Sequence, residues 1–177
     1  HDALPISMFE RSYQQMLKQM EETSLRGKVV AETYINAWFF MHNHLSALPK
    51  DSLYLVIDKY PETLLMYKHL IEKQRPDLDI LYLADSSTRF PLKSECIDVH
   101  LDFFAANEHN FYHDTFLYER LLPYLKKDAD LIGTYFYFEH AQKSMKLLLS
   151  QYPESSEKNF NLHYFREELK NNGFELL

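Results

Sequence analysis

Three acidic residues close three apolar runs along the chain: Glu32 after "KVVA", Asp58 after "LYLVI" and Asp85 after "ILYLA". If the runs are parallel strands, all three carboxylates stand at one edge of one sheet, the carboxyl edge where open α/β sheets bind ligands. An ionised carboxylate accepts hydrogen bonds and donates none, so it suits a ligand rich in hydroxyl and amine donors. The acid after the second strand can accept from both hydroxyls of a ribose, and the acid after the third can meet the exocyclic amine of adenine. Such acids can instead cap the following helix or turn into solvent. The shared register at three successive strand ends favours ligand binding.

The elements that must position these acids are legible as periodic patterns. Phe9, Tyr13, Met16, Leu17 and Met20 follow helical spacing within Met8–Thr23, and Gly27 stops that helix before a strand at Lys28–Glu32. Asn36–Leu48 reads as a helix closed by Pro49. Leu53–Asp58 is a nearly continuous apolar run, the pattern of a buried parallel strand. Pro61 and Glu62 suit a first helical turn, and that helix runs to about Gln74. Further strands are expected at Asp79–Ala84, Ile97–Phe104 and Asp130–Phe138. Helices are expected at Phe111–Leu122, Ala141–Ser150 and Tyr164–Asn171, with a strand beginning in "NNGFELL". Strands alternating with helices predict an α/β, three-layer Rossmann-like fold: a mostly parallel sheet with helices on both faces, cut off within its C-terminal strands.

Composition narrows the function classes. The 177 residues carry a net charge of −7, which gives no general attraction to nucleic acid or an anionic membrane. No apolar run approaches the roughly 20 residues of a membrane span. The single Cys96 excludes an internal disulfide and suits a reducing, cytoplasmic setting. Only 3 Gly stand against 13 Phe and 13 Tyr, so large rings must be packed with few positions that take positive φ cheaply. The first six residues, His1–Ile6, resemble the translation of a sequencing adaptor. The expected organisation is an artefactual 1–6, then one domain over 8–177: an N-terminal helix at 8–26 and a Rossmann-like core at 27–177, with an upstream domain missing.

The order "VVAET", "LVIDKYPETLLMYKHL", "ILYLADSSTRFPLKSECIDV" and "LIGTYF" resembles class I S-adenosylmethionine-dependent methyltransferases over about Gly27–Leu177. The resemblance implies S-adenosylmethionine as cofactor and a small-molecule methyl acceptor as partner. By position, Asp58 holds the ribose, Lys59 flanks the adenine, Asp85 and Ser86 face the adenine ring, and Asp102 and Phe103 border the transferred methyl group. A general base for the acceptor falls to Asp102, Glu108 or His109. The departure lies in the first motif, whose family pattern is an acid followed by alternating glycines. Glu32 is present, but Tyr34, Asn36 and Trp38 occupy the glycine positions. Tyr34 and Trp38 bring rings to where the methionine part of the cofactor lies, and non-glycine residues in strained turns cost of order 1–3 kcal/mol each. The alternative is therefore a catalytically inactive methyltransferase-like domain that binds a ligand or serves regulation. A nicotinamide oxidoreductase also uses an acid after the second strand, but Asp85 and the Phe-Pro-Leu segment fit the methyltransferase pattern better.

Other residues carry less. Glu108, His109, His113 and Asp114 include a His pair four apart without an evident third ligand, so a polar helical turn is favoured over a metal site. His42 and His44, two apart, do not share a helix face and read as packing residues. The Tyr135–Phe138 run alternates as a buried strand does.

Overall fold

The computed structural model describes residues 3–35, 39–85, 89–112, 115–137 and 160–177, together with Leu147, Ser150 and Gln151. They fall into two compact units, His1–Phe103 with Tyr124–Thr134, and Phe104–Pro123 with Tyr135–Leu177.

The first unit opens with α1 (Ala3–Glu22) and turns at Gly27, whose φ of +68° is a left-handed conformation that a Cβ would strain. Five strands follow: β1 (Val29–Thr33), β2 (Leu53–Asp58), β3 (Asp79–Ala84), β4 (Ile97–Phe103) and β5 (Leu125–Thr134). They form one all-parallel sheet in the order β3-β2-β1-β4-β5, with helices on both sides. The chain steps outward from β1 to β3 and then returns to pair β4 against the other side of β1. The boundary between β1 and β4 is the switch point, where the connections leave in opposite directions and where open α/β sheets bind their ligands. β1, β2 and β4 are buried almost throughout, as parallel strands covered on both faces must be. Between β2 and β3, α2 (Pro61–Gln74) packs on both strands and buries Leu64 and Ile71. Its first turn carries Pro61, whose missing N–H is harmless there, and Glu62, whose charge suits the helix dipole. α1 packs against β5 and buries Met16 and Met20, four residues apart on one face.

The second unit contains α3 (Ala105–Tyr112), α4 (Leu117–Leu121) and α5 (Leu162–Asn171). Asn110 Oδ1 accepts from the Leu117 N–H at 3.0 Å and so caps α4; Asn161 Oδ1 accepts from the Tyr164 N–H at 3.0 Å and caps α5. Phe165 joins the rings of Phe116 and Tyr135, the latter stacked on it at 3.8 Å between centroids.

Several elements depart from the sequence pattern, each for a reason that lies in tertiary contacts. The helix expected over Asn36–Leu48 is a 3-10 segment at Met41–Ala47, kinked at His44, with residues 36–38 outside the described set. Arg75 donates to the carbonyls of Leu45 and Leu48 and holds Asp77 through two bonds of 2.9 Å, so the segment's end is pinned from the end of α2. β5 runs Leu125–Thr134, not Asp130–Phe138. Its polar start is held because Lys126 pairs with Asp98 at 2.7 Å, while the other Asp98 oxygen accepts from the Val29 N–H at 2.8 Å. Tyr135–Tyr137 therefore lie beyond the strand. Asn107 stands in for a strand partner there: its Nδ2 donates to the Phe136 carbonyl at 2.8 Å and its Oδ1 accepts from the Phe136 N–H at 2.7 Å.

The helix expected at Phe111–Leu122 is divided between α3, which starts earlier, and α4. The helix expected at Ala141–Ser150 lies outside the described residues, apart from Leu147 and Ser150. "NNGFELL" holds no strand. Gly173, at φ +84°, ends α5, with its N–H donating to Lys170 and the Phe174 N–H donating to Leu169, the paired bonds of a Schellman cap.

Candidate functional site

Register carries the acids to one edge. Glu32 pairs with Val56 and Leu101, Asp58 pairs with Ala84, and Asp85 extends that ladder by donating its N–H to the Asp58 carbonyl at 2.9 Å. Their surroundings differ.

Glu32 is 1% exposed, and both its oxygens are engaged: Oε1 accepts from the Phe40 N–H at 2.6 Å and Oε2 from the Met41 N–H at 2.9 Å. These amides start the 3-10 segment, where no backbone carbonyl is available to them, so the carboxyl serves as an external cap. Burial pushes the Glu32 pKa up to about 8, outweighing the two amide bonds that pull it down, and nearby Asp102 adds to the rise.

Rings pack around the segment that carries those amides. Phe40, fully buried, meets Tyr13 of α1 at 5.3 Å, His44 at 4.8 Å and Phe103 of β4 at 5.8 Å between centroids. Tyr13 touches His44 at 4.7 Å and Phe103 at 5.9 Å, which closes the cluster. The adjacent Phe39 points elsewhere, to Tyr67 of α2 at 4.8 Å and to His42. His42 and His44 thus pack in separate ring groups, as packing residues should.

Tyr34, half-buried, stands at the first glycine position with φ +57°, the conformation a glycine there would take freely. Its N–H donates to the Ile57 carbonyl at 3.0 Å and so carries the β1–β2 ladder one residue past Thr33. Replacing Tyr34 by alanine or by glycine removes the same ring, but only glycine relieves the backbone. The glycine variant is expected to unfold about 1–2 kcal/mol less readily than the alanine variant. Urea denaturation measures the difference, and equal midpoints would show that the turn is unstrained. Asn36 and Trp38 lie outside the described residues.

Asp58 is buried at the end of β2, and its Oδ2 accepts from the Tyr60 N–H at 3.2 Å. Around it Lys59 is half-buried with Nζ 4.9 Å from the centre of the Tyr60 ring, Tyr60 is exposed, and Asp85 is half-buried. Ser86 lies outside the described residues. Asp102 and Phe103 are buried at the end of β4. On α3, in the second unit, Glu108 is half-buried, and His109 is fully buried with Nε2 3.4 Å from the Thr115 hydroxyl. His113 and Asp114 lie outside the described residues. Among the described residues, no group of three or more His, Cys, Asp or Glu could hold a metal ion.

Two features of this edge escaped the sequence reading. His100 of β4 is fully buried with Nε2 3.0 Å from Thr33 Oγ1 of β1, and burial lowers its pKa to about 3. Gly133 of β5 lies opposite Asp102, and a Cβ built on it would sit 2.9 Å from both the Cβ and the backbone oxygen of Asp102. An acid in a strand followed by a glycine in the next is a common pattern, so neither pairing has a sequence signal of its own.

No protein-family model matches the sequence, and no curated protein does. Solved structures share its fold. A possible exported protein from Bordetella parapertussis is similar at a TM-score of 0.63 and 18% identity, over 94% of this chain and 61% of its own. A SAM-dependent methyltransferase from Aquifex aeolicus is similar at 0.59 and 16% identity, over 90% of this chain and 79% of its own. Geranyl diphosphate C-methyltransferase from Streptomyces coelicolor, in complex with Mg2+, geranyl diphosphate and S-adenosyl-L-homocysteine, is similar at 0.67 and 8% identity, over 90% and 60%. The chain thus spans about three-fifths of the length of the first and third of these. At such identities the shared property is the fold, that of S-adenosylmethionine-dependent methyltransferases. Among the described residues no helix is long and apolar enough to cross a membrane.

Proposed function

We propose, on the premise of a methyltransferase fold, that this chain binds S-adenosylmethionine at the carboxyl edge of its sheet and transfers the methyl group to a small-molecule acceptor. Asp58 carries the reading: a carboxylate at the end of the second strand, beside the switch-point strand β1, would accept from ribose hydroxyls. Lys59 would flank the adenine, and Asp85 and Ser86 would face its edge. Asp102 and Phe103 would border the acceptor, with Asp102 to take its proton. When bound, the cofactor supplies an electrophilic methyl group on a sulfonium. The chain's contribution is to align the acceptor with it, which needs placement more than a strong base. The net charge of −7 disfavours nucleic acid as acceptor, and the single cysteine suits the cytoplasm.

Calorimetric titration with S-adenosylmethionine and S-adenosylhomocysteine tests this. Binding is expected for the natural chain, with at least a tenfold loss in Asp58→Ala. A folded protein that binds neither defeats the proposal.

A second reading has its own observation. Glu32 is locked on Phe40 and Met41, and Tyr34 occupies a glycine conformation. Both suit a domain that holds its ligand without turnover and reports occupancy to a neighbouring domain. Binding without formation of S-adenosylhomocysteine across acceptors would favour it.

A further inference from the structure

We infer that the outward face of α2 pairs with the same face of a second copy of this chain, the two helices running antiparallel about a two-fold axis.

α2 turns Leu64 and Ile71 toward the sheet and buries them. On its opposite side Glu62, Met66, His69 and Lys73 follow one another at spacings of four, three and four, and all four are exposed. That spacing draws a straight seam along a helix, the kind along which two helices pack at a shallow angle. Leu65 and Leu70 flank the seam. Leu65 is 66% exposed, Met66 51% and Leu70 37%. One exposed leucine is ordinary, but large apolar side chains gathered on one helix face form a contiguous patch.

The charges of the seam select its occupant. It opens on an acid, Glu62, and closes on a base, Lys73. The antiparallel alignment that sets Leu65 opposite Leu70 of the second copy also sets Met66 opposite His69 and Glu62 opposite Lys73, and the two-fold axis repeats each pairing. A parallel alignment in register would set acid against acid and base against base. The helix dipoles favour the antiparallel arrangement as well. Within one chain the two charges lie eleven residues apart, about 16 Å along the helix axis, too far to pair with each other. Among the described residues neither joins an ion pair; the pair that α2 does make, Lys68 with Glu72 at 3.8 Å, lies beside the seam. Glu62 and Lys73 also stand outside the ligand site proposed above. The seam and its flanks offer far fewer side chains than the roughly 20–30 residues a side of a standard interface, so the dimer is weak.

Sedimentation equilibrium of the natural chain from about 10 to 500 μM tests this, with a mass rising toward two chains and a dissociation constant on the order of 100 μM expected. Glu62→Lys and Lys73→Glu each bring like charges together at both ends of the seam. Each is expected to weaken the dimer about tenfold, although one lowers the net negative charge and the other raises it. Mixed one to one, the two variants are expected to pair within about threefold of the natural chain, because each supplies the charge that the other lacks. That recovery also shows that both variants are folded. A natural chain that stays monomeric overturns the inference. So does a dimer that Glu62→Lys leaves intact, or a mixture that pairs no better than its components.

Discussion

Unfolding free energy, followed by urea denaturation from pH 3 to 9, is expected to be highest between about pH 4.5 and 6.5 and to fall on both sides, because two buried groups titrate in opposite senses. Glu32 is raised from 4.5 to about 8, so between those values the native state holds a proton that the unfolded chain has lost. Stability therefore declines as pH rises through that window. His100 is lowered from 6.5 to about 3, so there the unfolded chain binds a proton that the native state refuses, and stability rises with pH. From 4.5 to 6.5 the two slopes oppose each other. Above 6.5 Glu32 acts alone, at about 1.4 kcal/mol per pH unit, for a loss of about 2 kcal/mol by pH 8. Below 4.5 His100 sets the slope; His42 and His44, also lowered by burial, add a rise with pH of the same sign below their ordinary value of 6.5. Glu32→Gln should flatten the alkaline limb and leave the acid limb in place. A natural chain with constant stability from pH 6.5 to 8 would show that Glu32 is ionised in the fold.

Gly133→Ala should destabilise the protein by about 1–3 kcal/mol, and the sign is the informative part. In a strand interior, glycine is ordinarily the weaker residue by about 0.5–1 kcal/mol, so alanine there normally stabilises. Here the new Cβ would lie 2.9 Å from the Cβ and from the backbone oxygen of Asp102, and a backbone atom cannot swing aside. β4 and β5 must part or Asp102 must shift, which is the cost of overpacking a filled site. Thermal and urea unfolding give the same test: a variant as stable as the natural chain, or more so, would show that the two strands have room to spare.

Much of the fold could be read from residue types in order. β2 and β3 keep their expected bounds and β1 and β4 come within a residue of theirs: β1, β2 and β4 are buried parallel strands and read as continuous apolar runs, and the edge strand β3 shows the same apolar run without being buried. α2 announced itself through Pro61 and Glu62 in its first turn. The placement of Glu32, Asp58 and Asp85 followed, since an acid that ends a strand stays at that strand's end whatever else packs around it. Elements without such a local signature went astray. The 3-10 segment at Met41–Ala47 depends on Glu32 and on Arg75, and the start of β5 depends on Asp98. A run of rings, Tyr135–Tyr137, imitated a strand that ends at Thr134.

The sequence by itself determined a parallel α/β sheet with a line of acids at its carboxyl edge. Only the tertiary structure decided what each acid does. Glu32 is claimed by two amides eight and nine residues ahead, the fully buried His100 meets Thr33 from 67 residues away, and Asp102 lies against a missing side chain at Gly133. Position along a strand is set by local periodicity, which a sequence displays. Availability to a ligand is set by which groups reach a carboxylate first, and those groups come from distant parts of the chain.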